Sequence, residues 1–343
     1  MDLVITLAKM LAWAVAILGF ILVAVLYIIW GLRRVMGAIQ SRIGPNRVGP
    51  QGLAQTIADA IKLLQKEDVI PEGADRWLFT LAPIIVFVPA YVVYVVMPFG
   101  KDVIAKDLNI GILFISAVSS IAVIGIIVAG WSSNNKWSLL GAFRAAAQLV
   151  AYEVPMLLAL CVPVLFAGTF SMQGIVFAQS GYAFGFIPKW FIFSGWGIPA
   201  LAFVIYLSAG LAEVNQTPFD IMEAESELVA GFNVEYSGMK FALFFLEEFA
   251  ASFTISAIAA AVFFGGWNAP LPFLGAQLTG LAGQIVSVFW FLAKAFGMVL
   301  LLMWIRSSWP RVRVDQLMNF GWKVMIPAGL VVVLIAGLVV VVG

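Results

Sequence analysis

Residues 213–236, EVNQTPFDIMEAESELVAGFNVEY, hold six carboxylates and neither Lys nor Arg. The six are Glu213, Asp220, Glu223, Glu225, Glu227 and Glu235, a third of the 18 acids in the chain. If this stretch is helical, Glu223 and Glu227 share a face, being one helical turn apart. Like charges at that spacing repel, and crowded carboxylates raise one another's pKa. Such a segment is a solvated connection, a place that holds protons, or a surface that meets a basic partner.

Four more ionisable side chains stand where the sequence is otherwise apolar: Glu153, Glu247, Glu248 and Lys294. A charge at mid-bilayer costs roughly 2.5–3.5 kcal/mol on insertion scales, so such residues tend to face a bundle interior and mark ion or proton paths. The bland alternative is a static buried pair, for example Glu248 with Lys294. The chain has no histidine and one cysteine, Cys161, so it has no internal disulfide and lacks the usual ligand sets for zinc, haem or iron–sulfur clusters. Without imidazole, proton chemistry falls to Asp, Glu, Lys or Tyr.

The elements that must position these groups are membrane helices. Of 343 residues, 63% are hydrophobic and 11% charged, against about a quarter charged in ordinary soluble domains. A helix needs about 20 apolar residues to cross the hydrocarbon core. Eight stretches qualify, near 8–31, 77–99, 109–131, 146–168, 190–212, 241–264, 285–305 and 323–342. The first is too long for the apolar region of a cleavable signal. Prolines 83, 89, 155, 163, 199 and 327 fall in or near spans and predict kinks. One polytopic membrane domain over 1–343 is the expected organisation.

The connections after spans 1, 3, 5 and 7 correspond to loops 32–76, 132–145, 213–240 and 306–322. With their flanks they carry Arg33, Arg34, Arg42, Arg47, Lys62, Lys66, Arg76, Lys136, Arg144, Lys240, Arg306, Arg311, Arg313 and Lys323. The opposite side has Lys9, Lys101, Lys106 and Lys189. The positive-inside rule therefore predicts that these four loops face the cytoplasm and both termini face outward. In the first loop, SRIGPNRVGPQG (41–52) is turn-rich. Beyond it, Leu53, Ile57, Ala60, Ile61 and Leu64 form an apolar stripe opposite Gln55, Asp59, Lys62 and Lys66. That pattern predicts an amphipathic helix lying in the membrane interface.

Four segments together resemble the H-subunit family of proton-translocating NADH:quinone oxidoreductases, the bacterial counterpart of subunit 1 of complex I. They are IQSRIGPNRVGPQGLAQTIADAIKLLQKED (39–68), SSNNKWSLLGAFRAAAQLVAYEVP (132–155), EVNQTPFDIMEAESELVAGFNVEYSGMKFALFFLEEF (213–249) and RSSWPRVRVDQLMNFGWK (306–323). With the order of spans, the resemblance covers nearly the whole chain. It implies an all-α membrane subunit whose spans 2–6 form a half-antiporter-like five-helix unit. It further implies a quinone-entry chamber bordered by Gln40, Arg42, Arg47, Asp59, Glu213, Asp220, Glu223, Glu225 and Glu227. Proton coupling falls by resemblance to Glu153, Glu213, Glu248 and Lys294. This chain would bind no cofactor. Quinone would be the substrate, with FMN and iron–sulfur clusters held by partner subunits. The implied partners are the other complex I membrane subunits, the peripheral-arm subunits of the quinone site and the lipid bilayer, with no nucleic acid. The implied location is the bacterial inner membrane.

Three positions depart from the family pattern. Leu32 replaces the acid that usually ends span 1, Gln216 replaces an arginine in the acidic loop, and Glu247 stands where the residue is often small. Two rival readings remain open. One is the equivalent subunit of a ferredoxin-linked or hydrogenase-type complex; the other is a stand-alone cation/proton transporter.

Overall fold

The computed structural model describes residues 2–183, 185–222, 229–272 and 280–342. Among them, eight helical stretches are long and apolar enough to cross a membrane: Val4–Ile39, Arg76–Val96, Gly111–Ser132, Lys136–Ala167, Gly195–Glu213, Gly238–Val262, Gly280–Ser308 and Val314–Val342. The fold is an all-α membrane protein, as the hydropathy pattern predicts. The helices are α1 Asp2–Ile39, α2 Gln55–Gln65, α3 Arg76–Val92, α4 Gly111–Ser119, α5 Ile121–Ser132, α6 Lys136–Ala167, α7 Met172–Ala178, α8 Ile198–Glu213, α9 Gly238–Val262, α10 Gly280–Ser308, α11 Val314–Phe320 and α12 Ile326–Val342. A short hairpin pairs β1 (Tyr182–Ala183) with β2 (Ile187–Pro188).

Spans two to six close into a ring. α3 packs on α5, α5 on α6, α6 on α8, and α9 returns to α3. The remaining seam, α8 to α9, is made by Tyr206, whose hydroxyl donates to the Ile255 carbonyl at 2.9 Å. Small residues bring the backbones together, as expected where lipid offers no hydrophobic drive for association. A Cβ on Gly125 of α5 would come within 2.5 Å of Val86 on α3. Outside the ring, α1 and α10 pack against α9, and α12 packs against α6.

Alternate connections gather on opposite faces. On one face, Asp75 N donates to Ser132 O, Asn135 Nδ2 to Glu235, Val69 N to Ser237 Oγ, and Val312 N to Pro218 O. These contacts join all four loops that carry the basic residues. On the other, Lys101 N donates to Ser287 Oγ, Ile192 N to Phe263 O and Tyr182 OH to Ala269 O.

Two boundaries differ from the sequence reading. Span 1 is helical through Ile39, so loop 32–76 begins with two turns of helix. Segment 132–145 is largely the start of α6, which begins at Lys136 with Asn135 as its N-cap, its side chain accepting from Trp137 N at 2.9 Å. Lys136 and Arg144 made that stretch read as a loop. Its buried face of Ser138, Gly141, Ala142, Ala145 and Leu149 is helical in period and docks on the ring. Glu153 consequently lies about 25 Å along its helix from the start.

The amphipathic helix is α2. Its apolar residues Ile57, Ile61 and Leu64, with Leu53 just before it, are exposed, while Asp59 accepts from Arg33 at 2.6 Å and from Gln55 at 3.1 Å. The span kinks have named causes. α3 passes into a 3-10 turn at Val93–Val96 after Pro89, and a π-helical turn, Gly321–Met325, precedes Pro327. The third span is parted at Ser120 between α4 and α5, where Ser119 Oγ donates back to Ser116 O at 2.9 Å.

Candidate functional site

The ring encloses a cavity of about 80 Å³, several times the ~10–15 Å³ of probe-occupied volume that one water needs. Its polar lining is Ser119, Ser120, Glu153, Glu213, Asn215, Glu247 and Thr254; the rest is apolar, from α3, α4, α5, α6 and α9. Three carboxylates thus face one small space inside the membrane-spanning region. Glu153 accepts a short hydrogen bond from the Ser120 hydroxyl, at the point where the third span is parted. Glu213 is the last residue of α8. Its Oε2 is buried without a hydrogen-bond partner among the described residues. A buried acceptor of that kind demands an explanation, and a cavity large enough to admit water supplies one.

Helical geometry sorts the paired acids of α9. Consecutive residues point about 100° apart. Glu247 therefore joins Ala251, Thr254, Ile255 and Ile258 on the face that lines the cavity. Glu248 turns towards α10, where Arg306 Nη1 lies 3.3 Å from its Oε1. Glu247 and Glu248 both stand out in the sequence as acids in an apolar span, and the resemblance implies a coupling role for Glu248 alone. The α9 wheel puts Glu247 on one stripe with Ala251 and Thr254, and packing of α9 decides that this stripe enters the ring.

Lys294 is not part of this group. Its ammonium donates to the carbonyls of Phe264, Gly266 and Asn268 at 2.8, 2.8 and 2.5 Å. It also lies 4.3 Å from the centre of the Trp190 ring. Those carbonyls follow the end of α9 at Val262, and the helix from Glu248 to that end rises about 21 Å. The static Glu248–Lys294 pair therefore does not form; each has its own partners.

The acidic loop is organised by α6. Gln148, fully buried, donates to Ala212 O at 2.6 Å, Phe219 O at 2.9 Å and Asn215 Oδ1 at 3.2 Å. Ser138 Oγ donates to Phe232 O at 2.8 Å, and Gly141 lets the loop backbone at Gly231 approach, since a Cβ there would meet it at 2.8 Å. Tyr236 stacks on Phe79 with ring centres 4.0 Å apart, and burial pushes its phenol up to about 12. It stays neutral and hydrogen-bonding at any ordinary pH. Asp220 lies in the described part of this loop, partly buried. Glu223, Glu225 and Glu227 lie outside the described residues.

The remaining residues of the implied chamber border lie on the same face. Arg42 Nε donates to Gln40 Oε1 at 2.7 Å, and both are exposed, as is Arg47. Asp59 is held by Arg33. The first loop reaches the acidic one through Lys240, whose Nζ is 2.9 Å from Asp68. Leu32 and Gln216, two of the departures from the family pattern, line one small void of about 10 Å³ with Phe249, Ser252 and Met303. Gln216 Nε2 donates to Ser252 Oγ there at 2.8 Å. Among the described residues, no three His, Cys, Asp or Glu side chains group to hold a metal ion.

The NADH dehydrogenase family profile matches residues 12–337. The chain belongs to that family. It is 50% identical to the NADH-quinone oxidoreductase H subunit of Dehalococcoides mccartyi strain CBDB1, over 94% of this chain and 84% of the relative. Proteins of the same name from Chlorobaculum tepidum and Geobacillus kaustophilus are 47% and 46% identical, covering 93% and 94% of this chain and 88% and 91% of theirs. The ring, its carboxylates and the four knitted loops are thus features of a family member along nearly its whole length.

Proposed function

We propose that this chain is the membrane subunit through which an H+-translocating NADH:quinone oxidoreductase couples quinone reduction to proton movement. The observation that carries the reading is one continuous piece of structure. The inner face gathers the four basic and acidic loops, and Glu213, at the root of the acidic loop, also lines the cavity that reaches Glu153. A charge change at the loop is thereby felt at a buried carboxylate, where the low dielectric makes it count for more than at a surface.

In this reading Gln40, Arg42, Arg47, Asp59, Glu213, Asp220, Glu223, Glu225 and Glu227 border a chamber completed by partner subunits. Long-tailed quinone enters the chamber as substrate. The electrons arrive from FMN and iron–sulfur centres held by those partners. Protons taken up at the chamber alter the charge of the loop acids, and Glu213 and Glu153 respond by binding or releasing a proton. Glu248, held by Arg306, fixes α9 against α10 beside that path, and Lys294 clasps the outer end of α9. The whole chain acts as one membrane domain in a bacterial inner membrane. The basic loops face the cytoplasm and both termini face the outside.

The family match favours this reading over a stand-alone transporter. Deleting the gene and restoring it in trans tests it. Deletion should abolish NADH:quinone activity in membranes, wild-type complementation should restore it, and Glu213→Gln should restore assembly with much lower turnover. Undiminished NADH:quinone activity in the deletion strain, with no second oxidoreductase of this type encoded, would refute the assignment.

A further inference from the structure

A second cavity lies on the inner side of the ring, lined by Asn215, Met222, Phe232, Asn233, Phe244, Phe245, Glu247 and Glu248. Only Asn215 and Glu247 also belong to the lining of the ring cavity with Glu153 and Glu213. Glu247 is thus the one ionisable side chain common to the two spaces. Asn215 beside it has its side-chain Oδ1 held by Gln148 and lies two residues after Glu213, with backbone φ 54°. A carboxylate in that wall is expensive in a membrane and contributes nothing to the Arg306 pair, which its neighbour Glu248 makes. On the ring side it faces Glu213, whose buried Oε2 lacks a partner among the described residues.

We propose that Glu247 is a proton-carrying station joining the inner-side cavity to the ring cavity, an inference that rests on the coupling role proposed above. A proton reaches a Glu247 carboxylate oxygen from the inner-side cavity. Rotation of the side chain turns that O–H into the ring cavity. There the proton passes to Glu213 or, through water, to Glu153, and Glu247 returns to its anionic form. Only O–H bonds break and form, and no electron moves. A relay built this way needs a carboxyl group at position 247 and nothing larger.

The test uses the assembled complex in proteoliposomes, with Glu247→Gln, Glu247→Asp and Glu213→Gln compared. NADH:ferricyanide activity reports on the electron-input arm and should be unchanged in all three. Glu247→Gln should lower quinone-dependent turnover and pumping by about tenfold. A positioned proton-transfer group acting on a reacting atom is worth ~10²-fold or more, and water in the cavity replaces part of a relay member. Glu247→Asp should retain most of both activities. The redox-induced infrared difference spectrum should lose one carboxyl C=O band in the Gln variant and keep a shifted one in the Asp variant, which a purely structural role would not produce. If the Gln variant fails to assemble, Glu247→Ala is judged by the same infrared band. Normal turnover and an unchanged spectrum in Glu247→Gln, alongside an impaired Glu213→Gln, would overturn this inference alone. If Glu213→Gln is also normal, the coupling reading falls with it.

Discussion

Arg306 on α10 holds Glu248 on α9 through a 3.3 Å ion pair in which both side chains are largely buried. The pair separates two neighbouring acids into different jobs, since Glu247 turns away from it into the ring. Removing one partner of a buried pair leaves an uncompensated charge, whereas removing both need not. Arg306→Met or Glu248→Met alone should therefore lower the thermal inactivation midpoint of the assembled complex. The double variant should recover part of the loss, with a coupling of about 1–3 kcal/mol. Strictly additive losses in that cycle would show that the two do not interact.

Lys294 clasps three carbonyls beyond the end of α9 and packs on Trp190. Its loss strands those acceptors, and each unsatisfied buried group costs about 1–3 kcal/mol. Lys294→Met should speed hydrogen exchange at 263–268 and lower the inactivation midpoint. Pumping per NADH in the surviving complex should stay near normal. Wild-type stability with a lost pumping ratio would instead make Lys294 a member of the relay.

Leu32 and Gln216 line the same void, at positions where the family pattern has an acid and a base. Leu32→Glu alone or Gln216→Arg alone should destabilise the complex, because each buries a charge with no partner. The double variant should be more stable than either single one. Measuring the three inactivation midpoints checks this, and a double variant worse than both would show that the two positions do not face each other.

The sequence made the spans legible because each is a long apolar stretch, and the grouping of alternate loops on one face legible because Arg and Lys concentrate in those loops. The start of α6 was not, since Lys136 and Arg144 suggested a loop while the small-residue stripe of Ser138, Gly141, Ala142 and Ala145 marks a packed helix. Within the site, Glu153 stands out as an acid in apolar surroundings and Glu213 as the first carboxylate of the acidic stretch. The partners of Lys294 and Gln148 do not, because both bind backbone carbonyls, which have no signature in residue type. Whether Glu247 or Glu248 enters the ring depends on helix rotation, fixed only when α9 packs on α3, α8 and α10.

Joint loss of quinone-linked turnover and pumping on neutralising the ring acids is the central expectation. Gln preserves the size and much of the hydrogen bonding of Glu but cannot ionise. In proteoliposomes, the Glu153→Gln, Glu213→Gln double variant should assemble and oxidise NADH with ferricyanide at the wild-type rate. Its quinone-dependent turnover and its proton uptake should fall together by about a hundredfold. Wild-type turnover with wild-type pumping in that assembled variant would contradict the account and leave the two carboxylates as structural fixtures of the ring.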